Sequence, residues 1–396
     1  MSISPVSQPI SLQPAVPDLP NETVVPTVPR RAALVHDYLL TPRGAERTFQ
    51  AMAAGWRGSQ VFTSLYDAEA MTGRFDGHEV TTSSLQRLGA RQGMFRMLLP
   101  LFPAAVERLP VDGEDLVISS SSAFAHGVRP SPGATHVCYC HSPFRYAWHE
   151  RALAVREAPR VARFALRETL NRIQGWDIAA STRVTHYVAN SEITQQRIAD
   201  FYGRESTVIH PPVDVNRFGA PQDPDDYLLY VGEVTSHKRV EVAVEAARLA
   251  GKQLKIVGHG PDRARLEAMH PEHTQFVGRV SDEQLNELFA RAQALIVPNV
   301  EEFGIAAVEA QAAGRPVVAT ARGGTRETVV DGITGVLVPN GTVEEFAEVL
   351  SQTDFSRFNG AEIATYATRF SAERFQLEFE TFVRRSESAD TCDSWY

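Results

Sequence analysis

The chain has 396 residues, 43% hydrophobic and 22% charged, which suits two or three soluble globular domains. A net charge of −9 gives bulk electrostatics no part in binding nucleic acid, and three cysteines are too few for a disulfide framework. No apolar run reaches the roughly 18 residues of a membrane span, and the N-terminus lacks the basic and apolar regions of a signal peptide.

Residues 1–30 are rich in Pro, Ser, Val and Gln without periodicity and read as a disordered leader. Order is predicted from Arg31. A first strand, Ala32 to Val35, leads into His36-Asp37-Tyr38 and a glycine-containing loop around Gly44, then a helix to about Ala54. Strand-like stretches recur at 60–64, 116–119, 136–139 and 185–189, separated by helical or irregular segments, so the sheet should be parallel. Residues 87–109 mix Arg87, Arg91 and Arg96 with Met94, Phe95, Met97, Leu98, Leu99, Leu101 and Phe102, the composition of a segment that touches anionic lipid or of a core helix with a basic outer face. A second arginine-rich helix, 151–172, reads as a solvated face. Cys138 and Cys140 alternate along a strand as reduced thiols, without the further ligands a metal site needs. That strand ends in a loop carrying His141, Arg145, Tyr146 and Trp148, a plausible sugar-facing surface.

Two prolines, Pro211 and Pro212, mark the crossover to a second unit. There the pattern restarts, with predicted strands at 227–231, 254–257, 274–277, 294–297, 316–320 and 335–338. Lys238, Gly258, Arg279, Glu301 and Gly323 each follow a strand, so they should share the carboxyl edge of one sheet. The stretch from Glu301 to Gly314 is the most informative. A buried strand, an acidic loop, Gly304 and a helix follow one another, and the helix start suits a phosphate. Glu301 and Glu309 flank that position and suit hydroxyl groups. Phosphate in the middle with hydroxyls at both ends describes a sugar nucleotide. A helix from Ala372 should close the chain.

Glu301 and Glu309 with Phe303-Gly304 between them resemble the E-x7-E element of glycosyltransferase family 4, retaining enzymes of the GT-B fold. Val35-His36-Asp37-Tyr38 with Gly44-Ala45-Glu46, Tyr139 to Trp148, Val188 to Ser191, Pro211 to Asp214, His237-Lys238-Arg239, Val257 to Gly260 and Ala321 to Glu327 carry the resemblance over most of 31–345. The loop at 139–148 with Lys238-Arg239 is similar to bacterial mannosyltransferases that add α-mannose from GDP-mannose to cellobiosyl-diphosphopolyprenol in acetan- and xanthan-type exopolysaccharide synthesis.

The resemblance implies two Rossmann-like, doubly wound parallel-sheet α/β domains facing across a cleft. The expected parts are an acceptor domain at 31–208, a donor domain at 209–371, and a helix and tail at 372–396 that could pack back on the first. It implies that Lys238 and Arg239 bind the diphosphate, and that Gly304 and Ile305 present amides to it. Glu301 holds sugar hydroxyls, Glu309 the ribose, and Arg279 lies by the base. His141 sits near the anomeric carbon, Gly44 lets the first domain approach the diphosphate, and Arg145, Tyr146 and Trp148 face sugar or acceptor. No metal cofactor is expected. The partners implied are a nucleotide sugar, a lipid-linked oligosaccharide and, through 87–109, the inner face of the cytoplasmic membrane. One position departs from the family, which usually has arginine where this chain has Glu233. A nucleotide-sugar epimerase, another family 4 donor (UDP-glucose or UDP-N-acetylglucosamine) and a catalytically silent sugar-binding protein are the alternatives. A dinucleotide-dependent oxidoreductase would want G-x-G-x-x-G, which neither half contains.

Overall fold

A computed structural model of the chain describes residues 32–88, 95–270 and 272–393. The expected leader at 1–30, and residues 89–94 of the basic, apolar segment, lie outside them.

The first unit contributes strands β1 (Ala33–His36), β2 (Val61–Thr63), β3 (Val80–Thr82), β4 (Leu116–Ser121), β5 (Thr135–Cys140), β6 (His186–Ala189) and β7 (Ser206–Val208). The second contributes β8 (Leu228–Val231), β9 (Leu254–Val257), β10 (Thr274–Gly278), β11 (Leu295–Val297), β12 (Val317–Thr320) and β13 (Gly335–Val338). The sheets run β3-β2-β1-β4-β5-β6-β7 and β10-β9-β8-β11-β12-β13. Every pairing is parallel. Both orders step outward from the first strand, return, and continue on its other side. Each sheet therefore has a reversal, between β1 and β4 and between β8 and β11, where the chain leaves a crevice at the carboxyl ends.

The strands read as near-continuous apolar runs because helices cover both faces of each sheet. In β1, Ala33 and Val35 join one buried layer and Leu34 the other. In β8, Leu228 and Tyr230 face one layer and Leu229 the opposite one. The edge strand β3 is half-buried throughout and has no apolar run to announce it.

The chain crosses between domains twice, and the crossings lie side by side. Val213 bridges Ser371, and its amide donates to the Phe370 carbonyl at 2.9 Å. After the return, helix Ala372–Asp393 packs on the first domain. Phe375 and Phe379 are buried there against Tyr139, and Trp56 meets the Phe379 ring edge-on at 5.8 Å. The segment at 95–106 serves two surfaces. Leu98, Leu99 and Phe102 enter the core, while Met97 and Leu101 stay 77% and 47% exposed.

Candidate functional site

Loops at the carboxyl ends of the second sheet build one wall. They can approach because they lack side chains at the contact points. A Cβ on Gly258 would lie 1.8 Å from the Gly232 carbonyl oxygen, and one on Gly260 2.1 Å from that of Val234. The loop after β11 is seated in the same way on Gly323 and Gly324, whose amide (Gly324) donates to the Glu301 carbonyl at 2.8 Å. Gly304 adopts φ 95, a left-handed backbone that glycine takes without penalty, and this turn starts helix Ile305–Ala312.

On this wall the Lys238 ammonium donates to both Glu301 oxygens, at 2.8 and 2.9 Å, and Asn299 donates to one of them at 2.9 Å. Burial pulls the Lys238 amine down, but the Glu301 charge and hydrogen bond outweigh it, so its pKa rises. Lys238 is therefore a fixed cation at the β8 loop. Glu309 is buried and bonded to Arg217 at 2.8 Å, with Arg47 of the first domain at 4.0 Å. Burial raises its carboxyl despite both arginines. Arg279 is exposed in the loop after β10, at the edge of the sheet. Arg239, expected as a donor cation, is bonded within its own domain. Its guanidinium donates to the carbonyls of Gly341 at 2.8 Å and Pro298 at 3.3 Å, which holds the loop in a left-handed turn at φ 52.

The opposing wall belongs to the first domain. Asp37 accepts four hydrogen bonds, from the amides of Ser122, Phe124 and Ala125 and the Ser122 hydroxyl, at 2.6 to 3.0 Å. That carboxylate fastens the loop after β4 to the loop after β1. Ser120 contacts the His141 ring nitrogen Nε2 at 2.9 Å. Burial, with His36 beside it, drops the His141 pKa to about 3, although Asp37 and Glu302 oppose this. His141 is thus a neutral imidazole at pH 7. Arg145 lies over the Tyr146 ring at 5.6 Å and 3.9 Å from Glu150. Trp148, expected to face sugar or acceptor, is held by partners of its own domain. It stacks on Phe201 at 4.5 Å, and its indole N–H donates to buried Asp177 at 2.7 Å. A buried carboxylate needs donors, and Asp177 takes them from Trp148 and from the Tyr202 hydroxyl at 2.8 Å.

The walls touch. A Cβ on Gly44 would lie 2.6 Å from Ile305 Cδ1, so the start of the first helix meets the start of helix Ile305–Ala312. Arg43 pairs with Glu233 across the cleft at 2.8 Å. Thus the carboxylate that departs from the family pattern faces a cation from the other domain. Glu302 reaches Arg197 at 3.4 Å and His149 at 3.8 Å. Burial would raise its carboxyl, but His149, Arg145, Lys238 and Arg197 hold it well below the usual carboxylate range. Glu327 accepts the Glu192 amide on both oxygens, at 2.9 and 3.0 Å, and contacts His210 Nε2 at 3.0 Å. It caps helix Glu192–Tyr202 of the first domain from the second. Sequence reasoning missed Arg43, Glu302 and Glu327 as bridging residues. The available signal was their position: each lies within a few residues of a glycine at a strand's carboxyl end. Among the described residues, no group of three or more His, Cys, Asp and Glu side chains is placed to hold a metal ion.

Comparison with known proteins places this arrangement. Residues 42–217 match Glycosyltransferase Family 4, and residues 214–353 match the glycosyl transferases group 1. A D-inositol 3-phosphate glycosyltransferase of Mycolicibacterium smegmatis is 30% identical over 193 residues, 42% of this chain and 44% of that protein. A glycogen synthase of Mycobacterium tuberculosis is 35% identical over 195 residues, 42% of this chain and 47% of that protein. The chain spans about half the length of the curated relatives it matches. Among solved structures, sucrose-phosphate synthase from Thermosynechococcus elongatus has a TM-score of 0.68 at 18% identity, covering 91% of this chain and 100% of that one. Anabaena HepE in complex with UDP has a TM-score of 0.65 at 17% identity, covering 90% and 100%. These structural likenesses are likenesses of fold. With the two family matches meeting at 214–217 and covering 42–353 between them, the chain belongs to the family 4, group 1 glycosyltransferases of the GT-B fold.

Proposed function

We propose that the protein is a retaining, GDP-mannose-dependent α-mannosyltransferase that extends a polyprenyl-diphosphate-linked oligosaccharide in exopolysaccharide synthesis, working at the inner face of the cytoplasmic membrane. The observation that supports transfer from a nucleotide sugar is the Lys238–Glu301 pair, closed within 2.9 Å where the second sheet reverses. It puts a cation for a diphosphate beside a carboxylate for sugar hydroxyls. Mannose and GDP rest on the resemblance of the 139–148 loop and Lys238-Arg239, and the lipid-linked acceptor on that resemblance together with the basic, apolar segment 87–109.

In this reading the diphosphate lies against Lys238 and the amides of Gly304 and Ile305. As the anomeric carbon–oxygen bond breaks, negative charge grows on the diphosphate, and a preorganised cation and helix start stabilise it in place. The acceptor oxygen bonds to the same face of that carbon, and its proton passes to the departing diphosphate oxygen. Configuration is retained without a protein nucleophile. Neutral His141 hydrogen-bonds the donor sugar without placing a second positive charge near a forming oxocarbenium. Glu309 accepts from the ribose, Arg279 flanks the base, and Arg145 with Tyr146 faces the acceptor. Arg43 leaves Glu233 for the diphosphate, so the cation comes from the opposite domain. No metal takes part.

A second reading keeps the reaction and changes the donor. HepE was solved with UDP and with UDP-glucose, which favours trying a uridine donor. The test offers purified protein GDP-mannose, UDP-glucose and UDP-N-acetylglucosamine with a cellobiosyl polyprenyl diphosphate, with and without a chelator. The expected product is α-mannosylated lipid from GDP-mannose at an unchanged rate with chelator. Product from a uridine donor alone replaces the mannose reading, and a covalent sugar adduct on a side chain overturns the same-face step.

A further inference from the structure

The helical elbow formed by Arg151–Glu157 and Arg163–Ser181 carries a surface that glycosyl transfer does not use. Val161 is 95% exposed and Phe164 82% exposed, in a chain whose cores are otherwise well covered. Arginines surround them. Some of these have structural work: Arg163 donates to the Ala158 and Arg156 carbonyls, and Arg151 to Gln174 and Asn171. Arg156 and Arg167 have no ion-pair partner among the described residues. The face's two acids are engaged, Glu168 with Arg172 at 3.2 Å and Glu157 with the Ser236 hydroxyl at 2.6 Å. Between the helices lies a cavity of about 620 Å³ lined by Arg156, Arg163, Arg167, Val155 and Trp148. Helix Arg163–Ser181 packs against the turn Leu99–Leu101, where Leu101 is itself exposed, with exposed Met97 just before it.

We infer that this elbow, with Met97 and Leu101, is the surface by which the protein seats on an anionic phospholipid bilayer. Val161 and Phe164 enter the acyl boundary, and Arg156 and Arg167 take lipid phosphates at the cavity mouth. A soluble anion would need the arginines but not the bare apolar side chains. A bilayer uses both, and the two signals together are what stable surface binding requires. The local charge is opposite to the chain's net −9, so the attraction belongs to this patch. The placement also fits delivery of a lipid-anchored acceptor: His149 lines the same cavity and lies 3.8 Å from Glu302 of the opposite domain. The inference deepens the lipid-linked reading above by moving the contact from 87–109 alone to the 151–172 elbow.

The test is flotation of the full chain with phosphatidylcholine vesicles, with and without phosphatidylglycerol, across a salt series. The parent should bind only the anionic vesicles and release them as salt rises. Arg156→Gln and Arg167→Gln should each weaken binding about five-fold. The Val161→Ser, Phe164→Ser double variant should weaken it at least about ten-fold. Both sets replace exposed side chains, so unfolding temperature and transfer to a water-soluble cellobioside should match the parent. Variants that float like the parent, or a parent that ignores lipid charge, overturn the inference. So does sedimentation showing a lipid-independent dimer that the double variant dissolves, since a second copy would then cover the face. Vesicle binding without transfer to any acceptor would sink the transferase reading and leave this one standing.

Discussion

Glu301 and Glu302 are neighbours in sequence and serve opposite sides of the cleft. Glu301 turns to Lys238 and Asn299 within its own domain, and Glu302 to Arg197 and His149 of the other. Their removal should therefore be read out by different measurements. On the proposed reading, Glu301→Ala takes away the acceptor for donor-sugar hydroxyls as well as the partner of Lys238, and should lower turnover by roughly 100-fold with little change in unfolding temperature. Glu302→Ala leaves part-buried cations unpaired and should cost about 1–3 kcal/mol of stability while losing less turnover. Equal turnover losses would mean that the donor sugar does not lie against Glu301. Glu46 makes a different kind of prediction. Its carboxyl is buried in the first turn of helix Gly44–Gly55 and accepts the Arg43 amide at 3.1 Å. Burial lifts its pKa to about 7 from 4.5, against the pull of those backbone bonds. The folded state thus holds a proton that the unfolded state has lost. The stability from this group is full below about pH 4.5 and is lost as pH rises through about 7. Glu46→Gln keeps the acceptor and removes the titration. Relative to the parent, the variant should gain unfolding temperature between about pH 5 and about pH 8.5; a constant difference would show that Glu46 does not titrate there.

At the scale of elements, the loop after β11 is held by packing, with backbone against backbone. Gly324 tests this cleanly because its φ of −64 is open to any residue, so only space is at issue. A Cβ there would lie 2.3 Å from the Phe303 Cα and 2.4 Å from the Glu302 carbonyl oxygen, neither of which is the end of a flexible side chain. Gly324→Ala should cost about 1–3 kcal/mol and push the Glu301–Gly304 turn outward. Calorimetry should then show weaker nucleoside diphosphate binding along with a lower unfolding temperature, and unchanged binding would separate the loop from the donor. This element also marks how far the sequence could be read. The run at 294–297 is apolar because β11 is a central strand covered on both faces, and the glycine and helix composition after it are local signals. Such signals placed Lys238, Glu301 and Gly304 at one sheet edge. They did not show how Trp148 and Arg239 are held. Three aromatics at a strand end look alike whichever way they turn, and the direction of Trp148 is set by Asp177, buried 29 residues further on. Arg239 spends its guanidinium on carbonyls 59 and 102 residues away. β3 was illegible for the opposite reason: three half-exposed residues on an edge carry no pattern.

For the molecule as a whole, the question is what holds two domains in register when only two chain crossings join them. Most cross-cleft ion pairs are poor candidates. Arg43 and Glu233 are about half exposed (55% and 47%), and such pairs contribute about 0–1 kcal/mol. Glu327 is different. Its side chain is 8% exposed, it gives both oxygens to one amide at the start of helix Glu192–Tyr202, and it touches His210 at the first crossing. Ser191, at the N-cap of that helix, makes no side-chain cap bond, so the second domain supplies the cap. The short helix Thr325–Thr328 that bears Glu327 begins directly after Gly323 and Gly324, which are seated on Glu301 and Glu302. The position of the loop after β11, closure and the crossing therefore share one carboxylate. Glu327→Ala should loosen closure more than it destabilises either domain. Small-angle scattering of the ligand-free variant should give a larger radius of gyration than the parent, and a saturating nucleoside diphosphate should bring it back toward the parent value. The donor KM should rise several-fold more than kcat falls. A fall in unfolding temperature equivalent to about 0.5–2 kcal/mol with an unchanged radius would mean that Glu327 is a helix cap and nothing else.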